Sequence, residues 1–199
     1  MSKIITLSNH KGGVGKTTSV INLGAGLVSL GKKVLLIDLD PQANLSQSLG
    51  YRDQELTIYG ALKGEQEIKP IEVLPGLDLV PSTLDLAGAE IELSAEAGRE
   101  FILKELLEPL RSSYDYIIID SPPSLGLLTI NAFTASNEVL IPLQSQYLAL
   151  QGLTVLQGVI EKIQKRLNKG LKLGGVFITQ YDKRKVLHRE VLQTIQGHL

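Results

Sequence analysis

Cysteine is absent from the 199 residues, and that absence excludes a disulfide framework, an iron–sulfur cluster, a thiolate zinc site and a cysteine nucleophile. Histidine is scarce, and His10, His188 and His198 do not space as metal ligands. No stretch approaches the roughly 20 uninterrupted apolar residues that cross a bilayer. The amino terminus, MSKIITLSNHKGG, returns to polar residues too soon to form the apolar core of a signal peptide. An excess of charge of one sign is also missing. Twenty basic and 21 acidic side chains leave a formal net charge of −1, so no global positive field gathers nucleic acid or anionic lipid, and any such binding must come from a local patch. Internal repeats, low-complexity tracts and linker-like runs are lacking too. What is there is 43% hydrophobic and 21% charged, the composition of one globular domain, 1–199, with enough length to bury a core. These features predict a soluble cytoplasmic protein.

Five short β-rich runs recur: Ile4 to Leu7, Val34 to Ile37, Tyr116 to Ile119, Val139 to Ile141 and Val176 to Ile178. Each is a nearly continuous apolar block, the pattern of strands covered on both faces. Between them lie segments of helical period. In the first, Val20, Ile21, Gly24, Leu27 and Val28 share a face, with Gly31 as a stop. Gly152 to Leu167 and Val186 to Gln196 also read as helices. The middle, Asn44 to Arg111, is less regular; a helix is predicted over Arg99 to Arg111, broken late by Pro109, with Phe101, Ile102, Leu106 and Leu110 as its apolar positions, and a short strand over Gly76 to Pro81. Alternating strands and helices with right-handed crossovers predict an α/β fold, a mostly parallel sheet flanked by helices.

Directly after the first strand stands Lys11-Gly12-Gly13-Val14-Gly15-Lys16-Thr17-Thr18, opening the first helix. Strand, glycine-rich loop and helix form the context that a phosphate-binding loop requires. Glycines let successive N–H groups point inward as an anion nest, and the helix N-terminus adds its partial positive charge. Lys16 would reach the β- and γ-phosphates, and Thr17 would place its hydroxyl on Mg²⁺. Six fixed positions of this kind arise by chance with probability on the order of 10⁻⁵ at ordinary residue usage. The first glycine of the usual GxxxxGK[ST] string is replaced by His10, and a second lysine, Lys11, opens the loop instead.

Two carboxylate sites sit where this chemistry needs them. Asp120 ends the run Tyr116-Ile117-Ile118-Ile119, at a strand's C-terminal edge, near the expected Mg²⁺ and its water shell. Asp38 and Asp40 close the second strand, with Pro41 turning the chain out of the sheet. Residues two apart on a strand share a face, so both acids are expected to look toward the phosphates.

On these residues the chain resembles the ParA/Soj partition ATPases, within the wider MinD-type group of deviant P-loop (deviant Walker A) NTPases. The resemblance runs through KGGVGKTT at Lys11 to Thr18, DLDPQAN at Asp38 to Asn44, PSTLDLAGAEIEL at Pro81 to Leu93, YDYIIIDSPPSLGLLTINA at Tyr114 to Ala132 and VLIPLQSQYLALQGL at Val139 to Leu153. It implies an ATP-sandwich homodimer in which Lys11 reaches the partner's nucleotide while Lys16 and Thr17 hold phosphates and Mg²⁺ in their own subunit. Asp40 would position the attacking water, Asp120 would hold Mg²⁺ through water, and Asp38 is a further candidate for a water-mediated metal contact. The resemblance also implies slow ATP hydrolysis stimulated by a ParB-like activator, and non-specific DNA binding by the dimer in the partitioning of a chromosome or plasmid. For DNA the nearest basic cluster is Lys183-Arg184-Lys185 with Arg189 on the last helix. A nucleoid-associated cytoplasmic protein follows. Family members continue past this end, so the chain is expected to lack the family's C-terminal segment.

Two alternatives share the scaffold. A MinD-type membrane-cycling ATPase carries a basic amphipathic C-terminal helix. Here the apolar stripe Leu187, Val191, Leu192 and Ile195 has only His188 and Arg189 beside it, which reads as core packing, so no membrane partner is expected. A small-molecule ligase or kinase would need acceptor-binding groups beside the γ-phosphate, and none is announced. His10, a lone loop histidine, is read as structural.

Overall fold

The computed structural model describes residues 2–146 and 149–197. Its strands are β1 (Lys3–Leu7), β2 (Val34–Asp38), β3 (Ile71–Leu74), β4 (Leu77–Val80), β5 (Tyr116–Asp120), β6 (Glu138–Gln144) and β7 (Lys172–Thr179). They form one sheet in the order β3-β4-β2-β5-β1-β6-β7. Every neighbouring pair is parallel except β3 with β4, which closes one edge as an antiparallel pair. The helices are α1 (Lys16–Ser29), α2 (Asn44–Ser48), α3 (Ile58–Leu62), α4 (Ala89–Glu92), α5 (Ile102–Leu107), α6 (Leu127–Ala135), α7 (Ala149–Arg166) and α8 (Val186–Gln196). The expected mostly parallel α/β architecture is the observed one.

Four of the continuous apolar runs become interior strands, because their alternate residues feed two cores. The fifth, Val176 to Ile178, lies instead in β7, an edge strand whose residues there are half-buried, with no strand pairing beyond it among the described residues. Ile4, Leu35, Ile37, Ile117 and Ile119 point to one face, where they pack with Leu103, Leu107, Phe133, Leu153 and Leu156. Ile5, Leu7, Val34, Leu36 and Ile118 point to the other, against Val20 of α1. β3, on the edge, alternates half-buried and exposed residues instead, as a strand with one wet face should.

The irregular middle departs from expectation. The strand within Gly76 to Pro81 is β4, but its partner β3 and the one-turn helices α2 and α3 carry too little periodicity to be read. The helix expected over Arg99 to Arg111 is α5 followed by a 3₁₀ turn, Glu108–Ser112. The late break expected at Pro109 is observed: proline lacks an N–H and its ring disfavours continuing the α-helical ladder. The apolar face differs as well: Leu103 and Leu107 are fully buried, whereas Phe101, Ile102, Leu106 and Leu110 are half-buried. In α8, Val191 and Ile195 are buried, but Leu187 is exposed.

One side chain ties the far end of α6 to the turn after α7. The Asn168 amide donates to the carbonyls of Phe133, Thr134 and Ser136 at 3.1, 3.1 and 2.7 Å, and its Oδ1 accepts the Gly170 N–H. Helix C-terminal carbonyls have no intrahelical donors. Replacing Asn168 with Ala is therefore expected to lower the unfolding free energy by about 2 kcal/mol, read from the urea midpoint at constant m-value. Asn168→Asp, which accepts but cannot donate, should not restore it.

Candidate nucleotide-binding site

β5 lies between β1 and β2 and is parallel to both, so the C-terminal ends of these three strands meet at one edge of the sheet. Ligands of open α/β sheets bind at such an edge. Leaving β1, the chain turns through Gly13 and Gly15, whose φ values of +71° and +91° suit glycine and penalise other residues. Val14 between them is buried and anchors the loop. No hydrogen bond runs from the N–H groups of Gly12 to Thr18 to any described protein group, and no side chain caps α1. Unpaired donors at a helix N-terminus make an anion site.

Neighbouring strands hold the loop in shape. The Asn9 amide donates to Pro142 O at 2.7 Å, and Asn9 Oδ1 accepts the Lys11 N–H at 3.0 Å. Thr179, ending β7, donates its hydroxyl to Val14 O at 2.7 Å, and Gln144, ending β6, donates its amide to Gly13 O at 2.8 Å. Sequence reading missed Gln144, Thr179 and Pro142. For Gln144 and Thr179 the available signal was the one that exposed Asp120, a polar residue closing an apolar parallel strand; Pro142 acts through its backbone carbonyl, which no residue type announces.

Lys16 is 7% exposed. Burial lowers its pKa, while the charges of Asp120 and then Asp40 oppose that shift. Thr17 donates its hydroxyl to Asp120 Oδ2 at 2.6 Å, across 103 positions of sequence. The other oxygen of Asp120, Oδ1, is buried with no hydrogen-bond partner. Burial is the main cause that pushes the Asp120 carboxyl up to about 7, with the Asp38 charge adding to it and the Thr17 bond opposing. Asp38 and Asp120 are register partners at the ends of β2 and β5.

The two acids after β2 separate. Asp40 lines a cavity of about 410 Å³ together with Gly12, Gly13, Lys16, Thr17 and Pro123. Asp38 does not line it. Its Oδ1 accepts the Asp40 N–H at 3.3 Å, and its Oδ2 accepts the Ser46 N–H and hydroxyl at 2.8 and 2.7 Å. The shared-face expectation required the strand to continue through residue 40, but β2 ends at Asp38. Asp38 instead pins the loop to α2, and burial raises its pKa to about 6. Ser46, which sequence reading also missed, is its partner.

Lys11 is exposed, and its ammonium donates to Gln146 Oε1. Gly15 and Thr18 line the cavity, as does Gln180 after β7. The chain then runs into Lys183, Arg184 and Lys185, all exposed, and Arg189 is exposed on α8. Arg184 is held by Asp182 through contacts of 3.0 and 2.9 Å, so its charge is largely matched. His10 lies against α7, where a Cβ on Gly152 would overlap its ring. His188 Nδ1 accepts the Asp182 N–H, and His198 lies outside the described residues. Among the described residues no group of three or more His, Asp or Glu is placed to hold a metal by itself, and no helix is long and apolar enough to cross a membrane.

A parallel sheet with an anion-binding loop between β1 and α1, and carboxylates at the ends of β2 and β5, defines a P-loop nucleotide-binding protein. A family profile described as an AAA domain matches residues 2–173. The chromosome-partitioning ATPase Soj of Treponema pallidum is 47% identical over 198 residues, which cover 98% of this chain and 78% of that protein. The sporulation initiation inhibitor protein Soj of Bacillus subtilis is 48% identical over 203 residues, covering 100% and 80%. The crystal structure of cobyrinic acid a,c-diamide synthase from Mycobacterium smegmatis with bound ADP and magnesium superposes with a TM-score of 0.95 at 41% identity, covering all of this chain and 83% of the other. The chain belongs to the ParA/Soj family of partition ATPases.

Proposed function

We propose that this chain is an ATP-driven switch for DNA partitioning, acting as one P-loop domain in the cytoplasm at the nucleoid. It binds Mg-ATP at Lys11 to Thr18, forms a homodimer around the nucleotide, holds DNA without sequence preference as a dimer, and returns to monomer by slow hydrolysis that a ParB-like partner accelerates. The observation that carries this reading is the convergence of Lys16, Thr17, Asp40 and Asp120 on a loop whose N–H groups have no protein acceptor. Membership of the Soj family supports the partition role.

The residues fit the ligand. Unpaired N–H donors and the Lys16 ammonium suit phosphate oxygens. The Thr17 hydroxyl and the unpartnered Asp120 Oδ1 are hard oxygen donors, which suit a magnesium ion that keeps most of its waters. Bound magnesium supplies neutralisation of the charge that builds on the phosphates. The chain's own work is positioning: Lys16 neutralises, Asp120 orients Thr17, and Asp40 holds the attacking water. Lys11, exposed on the loop, is assigned to the partner subunit's nucleotide.

The DNA step rests on Lys183, Lys185 and Arg189, with Arg184 contributing less because of Asp182. Dimerisation doubles this small patch. In fluorescence anisotropy with a random-sequence duplex at low salt, binding is expected with Mg-ATP and not with Mg-ADP, and it should weaken steeply as salt rises. Equal binding with both nucleotides, or none with either, would count against the switch.

The Mycobacterium smegmatis neighbour's name favours a second reading, an ATP-dependent small-molecule amide ligase. Release of ADP that depends on an added carboxylate metabolite, and not on DNA or a protein partner, would support it over partitioning.

A further inference from the structure

A groove of about 650 Å³ lies between α3 with its following turn and α5 with its 3₁₀ turn, and shares no lining residue with the nucleotide cavity. Its floor is apolar, made by Leu62, Ile68, Leu93, Ile102, Leu106 and Leu110. The reason is the double face of α5. Leu103 and Leu107 enter the core, which leaves the i, i+4, i+8 stripe Ile102, Leu106 and Leu110 half-buried beside the groove.

The rim has a definite sign. Glu67, Glu96 and Glu105 stand along it, exposed, and none of them takes part in an ion pair among the described residues. Lys63, the rim's lysine, is engaged by Glu65 at 2.8 Å and Glu92 at 3.6 Å. The surrounding segment is acidic as a whole: residues 50–110 hold 13 acidic and five basic side chains in a chain whose net charge is only −1.

We infer that this groove docks a cationic amphipathic helix of a partner protein, its apolar stripe on the leucine and isoleucine floor and its lysines or arginines against Glu67, Glu96 and Glu105. An open apolar groove flanked by charge is the shape that receives such a helix, and opposite charge speeds and selects the encounter. Small-molecule sites converge buried polar groups on their ligand; here the lining carboxylates are exposed to solvent. Nucleic acid and anionic lipid are repelled by the same rim.

The test uses a labelled synthetic helix of about four turns, leucine on one face and lysine on the other, titrated by anisotropy without nucleotide. Comparators are the same helix with glutamate in place of lysine, and the variant Glu67→Lys/Glu96→Lys/Glu105→Lys. These three positions are exposed and unpaired, so the variant should keep the wild-type melting temperature. The lysine helix is expected to bind the variant about tenfold or more weakly than wild type, and the glutamate helix to prefer the variant. Amide shifts on adding the lysine helix should centre on residues 62–68 and 102–110. Equal affinity for both chains, no binding at all, or shifts centred on the phosphate loop or residues 183–189 would overturn the inference.

Discussion

Lys16→Ala is expected to weaken Mg-ATP binding by about two to three orders of magnitude while leaving the chain folded. A buried ammonium facing phosphates makes charge-assisted hydrogen bonds worth about 1.5–3 kcal/mol each, and two of them account for that loss at roughly 1.4 kcal/mol per factor of ten. The fold should survive because Lys16 makes no ion pair within bonding distance among the described residues. Its removal relieves the cost of burying it. The same removal strips Asp120 and Asp40 of a neighbouring positive charge, but Asp120, with its pKa pushed to about 7 by burial, can take a proton. Thermal unfolding gives the readout. A saturating ligand at about 100 times its Kd stabilises by about 2.7 kcal/mol, so Mg-ATP should raise the wild-type melting temperature and leave that of Lys16→Ala unchanged. An unaltered Mg-ATP affinity in the variant would remove Lys16 from the site.

Asp40→Ala is expected to separate binding from turnover. Among the described residues the Asp40 carboxylate makes one protein hydrogen bond, from the Gln42 N–H to Oδ1 at 2.9 Å. The bonds that shape its loop are backbone bonds, which Ala retains: Asp40 N–H to Asp38, and Asp40 O from the Ala43 N–H and the Ser82 hydroxyl. Loop geometry should persist. Removing a negative charge from the cavity should leave Mg-ATP affinity equal or somewhat higher, since like charge opposes phosphate binding. Turnover should fall by about 10²–10⁴, the usual contribution of a positioned base or water-orienting group. The dimer formed with Mg-ATP should therefore persist in Asp40→Ala while wild type returns to monomer, which light scattering over time resolves. Asp40→Asn, which can still accept the Gln42 N–H, should share the turnover defect. Normal hydrolysis by Asp40→Ala would assign the attacking water to another group.

The two variants also separate roles that the cavity brings together. Loss of binding with Lys16→Ala and loss of turnover with Asp40→Ala would fit one site with divided labour. Loss of binding in both would mean that Asp40 shapes the pocket and does not act on water.

Local order decided what was legible. Four of the five apolar runs fall within β1, β2, β5 and β6 because a strand covered on both faces must be apolar at consecutive positions; the fifth, Val176 to Ile178, falls in the edge strand β7, where these residues are only half-buried. The loop from Lys11 to Thr18 was legible because glycine spacing, lysine and threonine lie within eight residues, and positive φ at Gly13 and Gly15 is a local demand. Asp120 was legible as the polar end of an apolar run.

Tertiary structure decided the rest, through contacts that no short window contains. The Thr17–Asp120 bond spans 103 positions, Gln144 reaches Gly13 across 131, and Thr179 reaches Val14 across 165. Asp38 and Asp40 look equivalent in DLDPQ. They part only because β2 ends at Asp38 and Ser46 returns to take its carboxylate. The apolar positions of α5 likewise appear interchangeable until α6 packs on one side, with the Leu103 N–H donated to Asn131 Oδ1. That packing commits Leu103 and Leu107 to the core and leaves Ile102, Leu106 and Leu110 beside the groove. The order of residues thus determined the sheet and the phosphate loop, since both follow from short-range periodicity and backbone sterics. Which carboxylate faces the cavity, and which helix face stays open, were decided by strand length and by neighbours brought in from distant parts of the chain.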